Sequence, residues 1–179
     1  MDGSTTRRGI HHFLKRHQAP PNGTIGGLIT FGSKDYRNCN PIWTHTTLNA
    51  RVPNNWDFET TNFSIGNEVV SEATRNVWRL LQIVKAPKNH TLQLYTVKCS
   101  TVNQLPDLVF NISGKPFPVP AYQYVNNIPG EDQNCELAVE MSPEEVYILG
   151  NPFLRTYCSY FDYAGQRIGF SIAKQPDFK

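Results

Sequence analysis

The chain has 179 residues, of which 39% are hydrophobic, 12% aromatic and only 18% charged. That composition excludes an intrinsically disordered chain and suits one domain with a substantial core. The formal charge of +2 is too small to call for a polyanionic partner, so no nucleic-acid binding is expected. No stretch is long and apolar enough to cross a bilayer, so no membrane partner is expected either.

Residues 1–20 are polar and basic and end in a Pro/Gly/Asn cluster that reads as a loop. From the GGLITFG run onward, strand-like stretches recur at 27–32, 42–48, 56–65, 93–98, 107–112, 117–125, 135–140, 145–149, 157–163 and 167–172. Pro, Gly and Asn clusters separate them, the pattern of an antiparallel sheet protein. Gly114 and Gly165 sit where hairpins need turn geometry. Only two helices are predicted. One covers about 73–84, with Val77, Leu80, Leu81 and Val84 at helical spacing and Pro87 beyond it. The other is a short piece at 151–156, with Asn151 as N-cap and Pro152 at the first helical position. Between the first helix and the strand-like residues ending at Val70 there is almost nothing, an unusually abrupt joint.

The candidate chemistry is sparse. His11, His12 and His17 stand among Arg7, Arg8, Lys15 and Arg16, but no ligand spacing or aromatic platform accompanies them, and a solvated basic segment is expected. Cys39, Cys99, Cys135 and Cys158 lie far apart without CxxC pairing, so no metal or cofactor is expected. Structural disulfides are, with three connectivities open. Four N-x-S/T sequons begin at Asn22, Asn62, Asn89 and Asn111; with the cysteines they favour an oxidising, secretory route. The first residues carry no apolar signal-peptide core, and the expectation is a chain that lacks its true N-terminus. Among the acids, Asp107 and Asp162 are placed to fix strand ends or turns. No Asp in the chain is followed by Thr-Gly or Ser-Gly.

The segments GGLITFGSKD (26–35), NFSIGNE (62–68), YTVKCSTVNQLPDLVFNISGKPFPVPAYQYV (95–125) and VYILGNPFLRTYCSYFDYAGQRIGFS (146–171) occur in that order. Together they resemble the C-terminal lobe of pepsin-like aspartic proteases, with a nematode flavour. The most specific part is Ile148-Leu149-Gly150 followed by a one-turn helix and the Phe161-Asp162 hairpin. The resemblance implies a mostly β, antiparallel lobe with two short helices, incomplete, over residues 24–175. Residues 1–23 would then be a polar, basic segment with a remnant of the inter-lobe strand, HHFLKRHQ. It also implies two disulfides, Cys99 with Cys135 and Cys39 with Cys158.

Enzymes of that family use one aspartate per lobe, each in a D-T/S-G motif, and the two carboxyls share a proton. The first aspartate belongs to a lobe outside this chain. The second belongs between the SIG strand and the helix before YTVKC, and there the chain reads NEVVSEATRNVW. Glu68 and Glu72 are the nearby carboxylates, and neither has the Gly of the motif, so both are expected to be surface residues. No catalytic residue is therefore assigned. The expectation is a truncated, inactive family member, with an ordinary acid endopeptidase encoded by the parent locus. The alternative is a secreted binding or inhibitory module on the same fold. Peptide or protein is the implied substrate class, with Met141 and the following loop as a weak candidate for substrate contact. A secreted or lysosomal location is implied. A missing central strand is expected to expose sheet edges and drive self-association.

Overall fold

The computed structural model describes residues 9–16, 23–49, 55–70, 76–89, 94–140 and 146–175. Asn22, Glu72 and Met141, together with His17 and His90, lie outside the described residues. Among the described residues every strand pair is antiparallel, and the strands form three sheets.

The first sheet has five strands in the order β2 (Gly27–Phe31), β1 (Gly9–Leu14), β12 (Tyr157–Asp162), β13 (Arg167–Ile172) and β3 (Thr44–Thr47). β1 overlaps HHFLKRHQ and corrects the reading of His11 and His12 as part of a solvated basic segment. In GIHHFL the residues Gly9, His11 and Phe13 are buried, while Ile10, His12 and Leu14 face the other way, the period of a strand. His11 is therefore fully buried and not part of a solvated segment. Gly27 belongs in β2 because a Cβ there would collide with the Phe13 carbonyl oxygen across the β1–β2 pair. At the exit of β1, Arg16 Nη2 donates to the Val125 carbonyl at 3.2 Å, and Gln175 Nε2 donates to the Leu14 carbonyl at 2.8 Å.

The second sheet runs β5 (Glu68–Val70), β4 (Asn62–Ile65), β8 (Leu108–Ile112) and β9 (Lys115–Val119). Its inner face carries Phe63, Ile65, Leu108, Phe110, Ile112, Phe117 and Val119, all buried in the main core. Gly114 turns β8 into β9 with φ +72. The third sheet is β10 (Val125–Ile128), β11 (Glu131–Leu137), β7 (Leu94–Lys98) and β6 (Lys88–Asn89).

Four short helical pieces are described, not two. α1 (Asn76–Ile83) buries Leu80 and Leu81. A 3-10 helix spans Cys99–Gln104, α2 covers Ala121–Tyr124, and α3 covers Asn151–Thr156. α2 interrupts the expected 117–125 strand: β9 ends at Val119, and Pro120, which has no backbone donor for the ladder, caps the helix. α3 begins one residue earlier than expected: Gly150 is the N-cap, Asn151 is the first helical residue and Pro152 follows it. Residues 146–149 are not a strand. Tyr147 instead lays its ring against Phe63 and Phe110, at 5.3 and 5.7 Å. The expected 56–65 strand is formed only from Asn62. Before it, Trp56 packs edge-on to Phe161 at 4.9 Å, and Phe58 packs on Phe170 at 5.5 Å.

Phe153 of α3 joins the sheets. Its ring lies 4.9 Å from Tyr157, 5.2 Å from Phe170, 5.7 Å from Phe110 and 6.3 Å from Phe117. Aromatic burial on this scale supplies much of a small lobe's core.

Candidate functional site

The region of interest lies between the β4–β5 hairpin and α1. The hairpin turns at Gly66, whose φ is +57, and β5 forms the sheet edge with Glu68 exposed. From α1, Arg79 reaches back and grips Glu68 with both forks of its guanidinium, Nε to Oε1 at 2.5 Å and Nη2 to Oε2 at 2.7 Å. The bidentate pair ties strand to helix in open solvent. Hydrogen bonding from Arg79, helped by its charge, holds the Glu68 carboxyl below the ordinary glutamate range.

Two aspartates lock turns. Asp35 accepts from the amides of Arg37 and Asn38 at 2.9 and 3.1 Å and from Asn38 Nδ2 at 2.5 Å. Burial alone would raise its carboxyl; the Asn38 and Arg37 hydrogen bonds outweigh that and hold it low. Asp162 accepts from the Gly165 amide at 2.9 Å and from Arg167 Nε at 2.7 Å, and again these bonds overcome desolvation and lower it. A carboxyl pair sharing a proton requires one member to be raised. Glu68, Asp35 and Asp162 all move the other way. Asp107, before β8, lends negative charge to two buried tyrosines. Tyr124 donates to the Pro106 carbonyl and Tyr157 to the Pro118 carbonyl, at 2.5 and 2.8 Å, and burial followed by the Asp107 charge pushes both hydroxyls up.

Among the described residues, open grooves flank two strands of the five-stranded sheet. One, of about 530 Å³, runs along β2 and the 33–38 turn with Lys15, Lys34 and Arg37 about the single carboxylate of Asp35. The other, of about 370 Å³, lies beside β3 with Glu59. Neither groove brings two carboxylates together.

The four cysteines form two disulfides, Cys39–Cys158 and Cys99–Cys135. The first is buried with Phe13 and Ala173, and Trp43 packs against it. Beside it His11 places Nε2 3.2 Å from Cys39 Sγ and its ring edge-on to Trp43 at 5.4 Å. Burial lowers the His11 pKa. His11, Cys39 and Cys158 are the one group of possible metal donors that converges among the described residues. Its sulfurs are joined to each other, so it offers no thiolate to a metal. On the same side of the sheet Lys34 Nζ lies 3.1 Å from His45 Nε2 and 4.8 Å above the Trp43 ring. Sequence reasoning missed this cluster and the Arg79 grip; the alternation in GIHHFL was the available signal for His11.

Of the sequon asparagines, Asn62 is exposed in β4, Asn111 is half-buried in β8, and Asn89 is half-buried in β6.

Residues 19–173 match the family model for eukaryotic aspartyl protease. Aspartic protease 17 of Caenorhabditis elegans is 32% identical over 90% of this chain and 46% of its own length. Aspartic protease 1 of the same organism is 33% identical over 90% of this chain and 45% of its own length. Gastricsin of Suncus murinus is 29% identical over 97% of this chain and 48% of its own length. The chain thus spans about half the length of these curated relatives. With its antiparallel β architecture, its two disulfides and this extent of matching sequence, the chain belongs to the eukaryotic aspartyl protease family.

Proposed function

We propose that this chain is a non-proteolytic member of its family: a lobe-like unit over residues 24–175, entered by the strand that closes the 1–23 segment. The observation that carries the reading is that no Asp of the 179 residues is followed by Thr-Gly or Ser-Gly. That includes the joint between β5 and α1, where the family's second aspartate belongs. The Glu68–Arg79 pair supports it, because a carboxylate held ionised by a guanidinium is a poor partner for a shared proton. Two copies of the chain would not rebuild the site, since neither brings such an aspartate. A longer product that supplied both motifs would be an acid endopeptidase acting on peptides or proteins. The disulfides and family are those of a secreted or lysosomal protein, and the sequons make it a proposed glycoprotein.

The test is cleavage of an acid-denatured protein at about pH 3–4, where a carboxylate dyad shares its proton. The purified chain is expected to release no peptides above the pepstatin-treated control. Pepstatin-sensitive cleavage would overturn the reading.

A second reading, a non-catalytic binding surface, is favoured by the edge of the five-stranded sheet. Ile10, Ile29 and Phe31 share one face there and are 44%, 55% and 75% exposed. β2 is an uncharged edge strand without proline, the kind that pairs with a second copy. Light scattering is expected to show concentration-dependent dimers, which Phe31→Lys abolishes. A monomer at all concentrations would overturn this second reading.

A further inference from the structure

Two of the sequons meet across a strand pair. The β4–β8 register sets Asn62 directly opposite Asn111. Residues so placed leave the same face of the sheet with their Cβ atoms about 4.5–5.5 Å apart. The neighbours Phe63, Phe110 and Ile112 point into the core, so this is the outer face. By the same registers it also carries Ser64, Val69, Val109, Pro116 and Pro118. Among the described residues it bears no charged side chain, and Val69 is 63% exposed. An uncharged, partly apolar sheet face is one that proteins otherwise cover or blunt.

We propose that this sequon pair accepts a single N-linked oligosaccharide, on Asn62, which lies over the outer face of the β5-β4-β8-β9 sheet. The proposal rests on the secretory reading above. In the modifying step the Asn62 amide nitrogen bonds to C1 of an oligosaccharide carried on a polyprenyl diphosphate. The C1–O bond to the diphosphate breaks, the lipid diphosphate leaves, and the amide loses one proton.

Position decides which asparagine is used. Asn62 is exposed at the start of β4. Asn111 is flanked on both sides, by Asn62 in β4 and by Pro116 in β9. It is half-buried, and its Oδ1 is shielded from solvent without a hydrogen-bond partner. Sugar on Asn111 must displace those neighbours or pull the side chain out of the sheet, whereas sugar on Asn62 enters solvent directly. Transfer takes place on the extended chain, so the folded sheet acts afterwards, by rejecting chains modified at Asn111.

The experiment expresses the full chain behind a heterologous cleavable signal, with Asn22→Gln and Asn89→Gln, and with a C-terminal tag bearing its own sequon. Only soluble molecules whose tag sequon is occupied are scored, so entry into the modifying compartment is given and the natural route is not at issue. After trimming to one sugar per site, intact mass counts the sites and peptide mapping places them. One sugar beyond the tag, on Asn62, is expected, and Asn62→Gln removes it. Two sugars on the pair, one on Asn111, or none on Asn62 would overturn the proposal.

Discussion

The two disulfides are nested, and that arrangement sets unequal contributions to stability. Cys39–Cys158 closes a sequence separation of 119, and Cys99–Cys135, with a separation of 36, lies wholly inside it. In the chain-entropy treatment, loss of the inner link costs about 3.8 kcal/mol and loss of an isolated link of the outer length about 4.9 kcal/mol. Each variant keeps the other link, so the inner-pair variant retains about 4.9 kcal/mol of this constraint and the outer-pair variant about 3.8 kcal/mol, a difference of about 1 kcal/mol. Cys39 and Cys158 are both fully buried, whereas in the inner pair Cys135 is buried and Cys99 only partly, so the cavity left by truncation adds to the difference through one extra buried sulfur. Urea unfolding of Cys39→Ala/Cys158→Ala and Cys99→Ala/Cys135→Ala measures both. The outer-pair variant is expected to be less stable than the inner-pair variant by about 1 kcal/mol or more, with an m-value raised because its denatured chain is less constrained. An inner-pair variant that proves the less stable would refute this ordering.

Further measurements bear on the same framework. Phe153, 2% exposed among four rings, is expected to cost about 3–5 kcal/mol as Phe153→Ala, lowering Tm by about 6–20 °C. Ile148, five residues earlier in the same motif and 83% exposed, is expected to stay within about 0.5 kcal/mol as Ile148→Ala. Equal Tm losses in calorimetry would contradict this picture of the motif. Asp35 and Asp162 are both held below the ordinary aspartate value. The stability they supply is therefore full above about pH 4 and lost as pH falls through their lowered folded values. Chemical unfolding across that range is expected to show a flatter acid limb for Asp35→Asn than for the parent chain.

Strands β7, β8, β12 and β13 were legible, because runs such as LVFNI and RIGFSI combine β-branched and aromatic residues, LVFNI with period-2 burial, whereas β10 had no run of its own. The cysteine spacing left three connectivities, and only the family resemblance singled out one. Strand β1 was harder. Two histidines and flanking Arg and Lys look solvated in sequence, yet pairing on both sides with β2 and β12 buries His11 against a disulfide that lies far along the chain. α2 was hidden because AYQY continues an apparent strand, and only Pro120, just past the end of β9, marks the break. Tyr147 and Leu149 have strand-like composition, but tertiary packing on Phe63 and Phe110 takes precedence over local preference there.

On the proposed reading, a single substitution beside the β5–α1 joint would not make a protease of this chain. Glu68 is the described carboxylate nearest the position where the family's aspartate belongs, and both its oxygens are committed to Arg79. Freeing it by Arg79→Ala would leave an exposed carboxylate on an edge strand, without the Gly that lets the family's motif turn tightly. It would also lack a second carboxyl to share its proton and enclosing walls to raise its pKa. A working dyad needs a strand to deliver the acid, a turn to aim it and a partner to hold the proton. On the proposed reading the chain keeps the surrounding framework of disulfides, aromatic core and α3 hub. It fills the joint itself with an ion pair whose role is to fasten strand to helix.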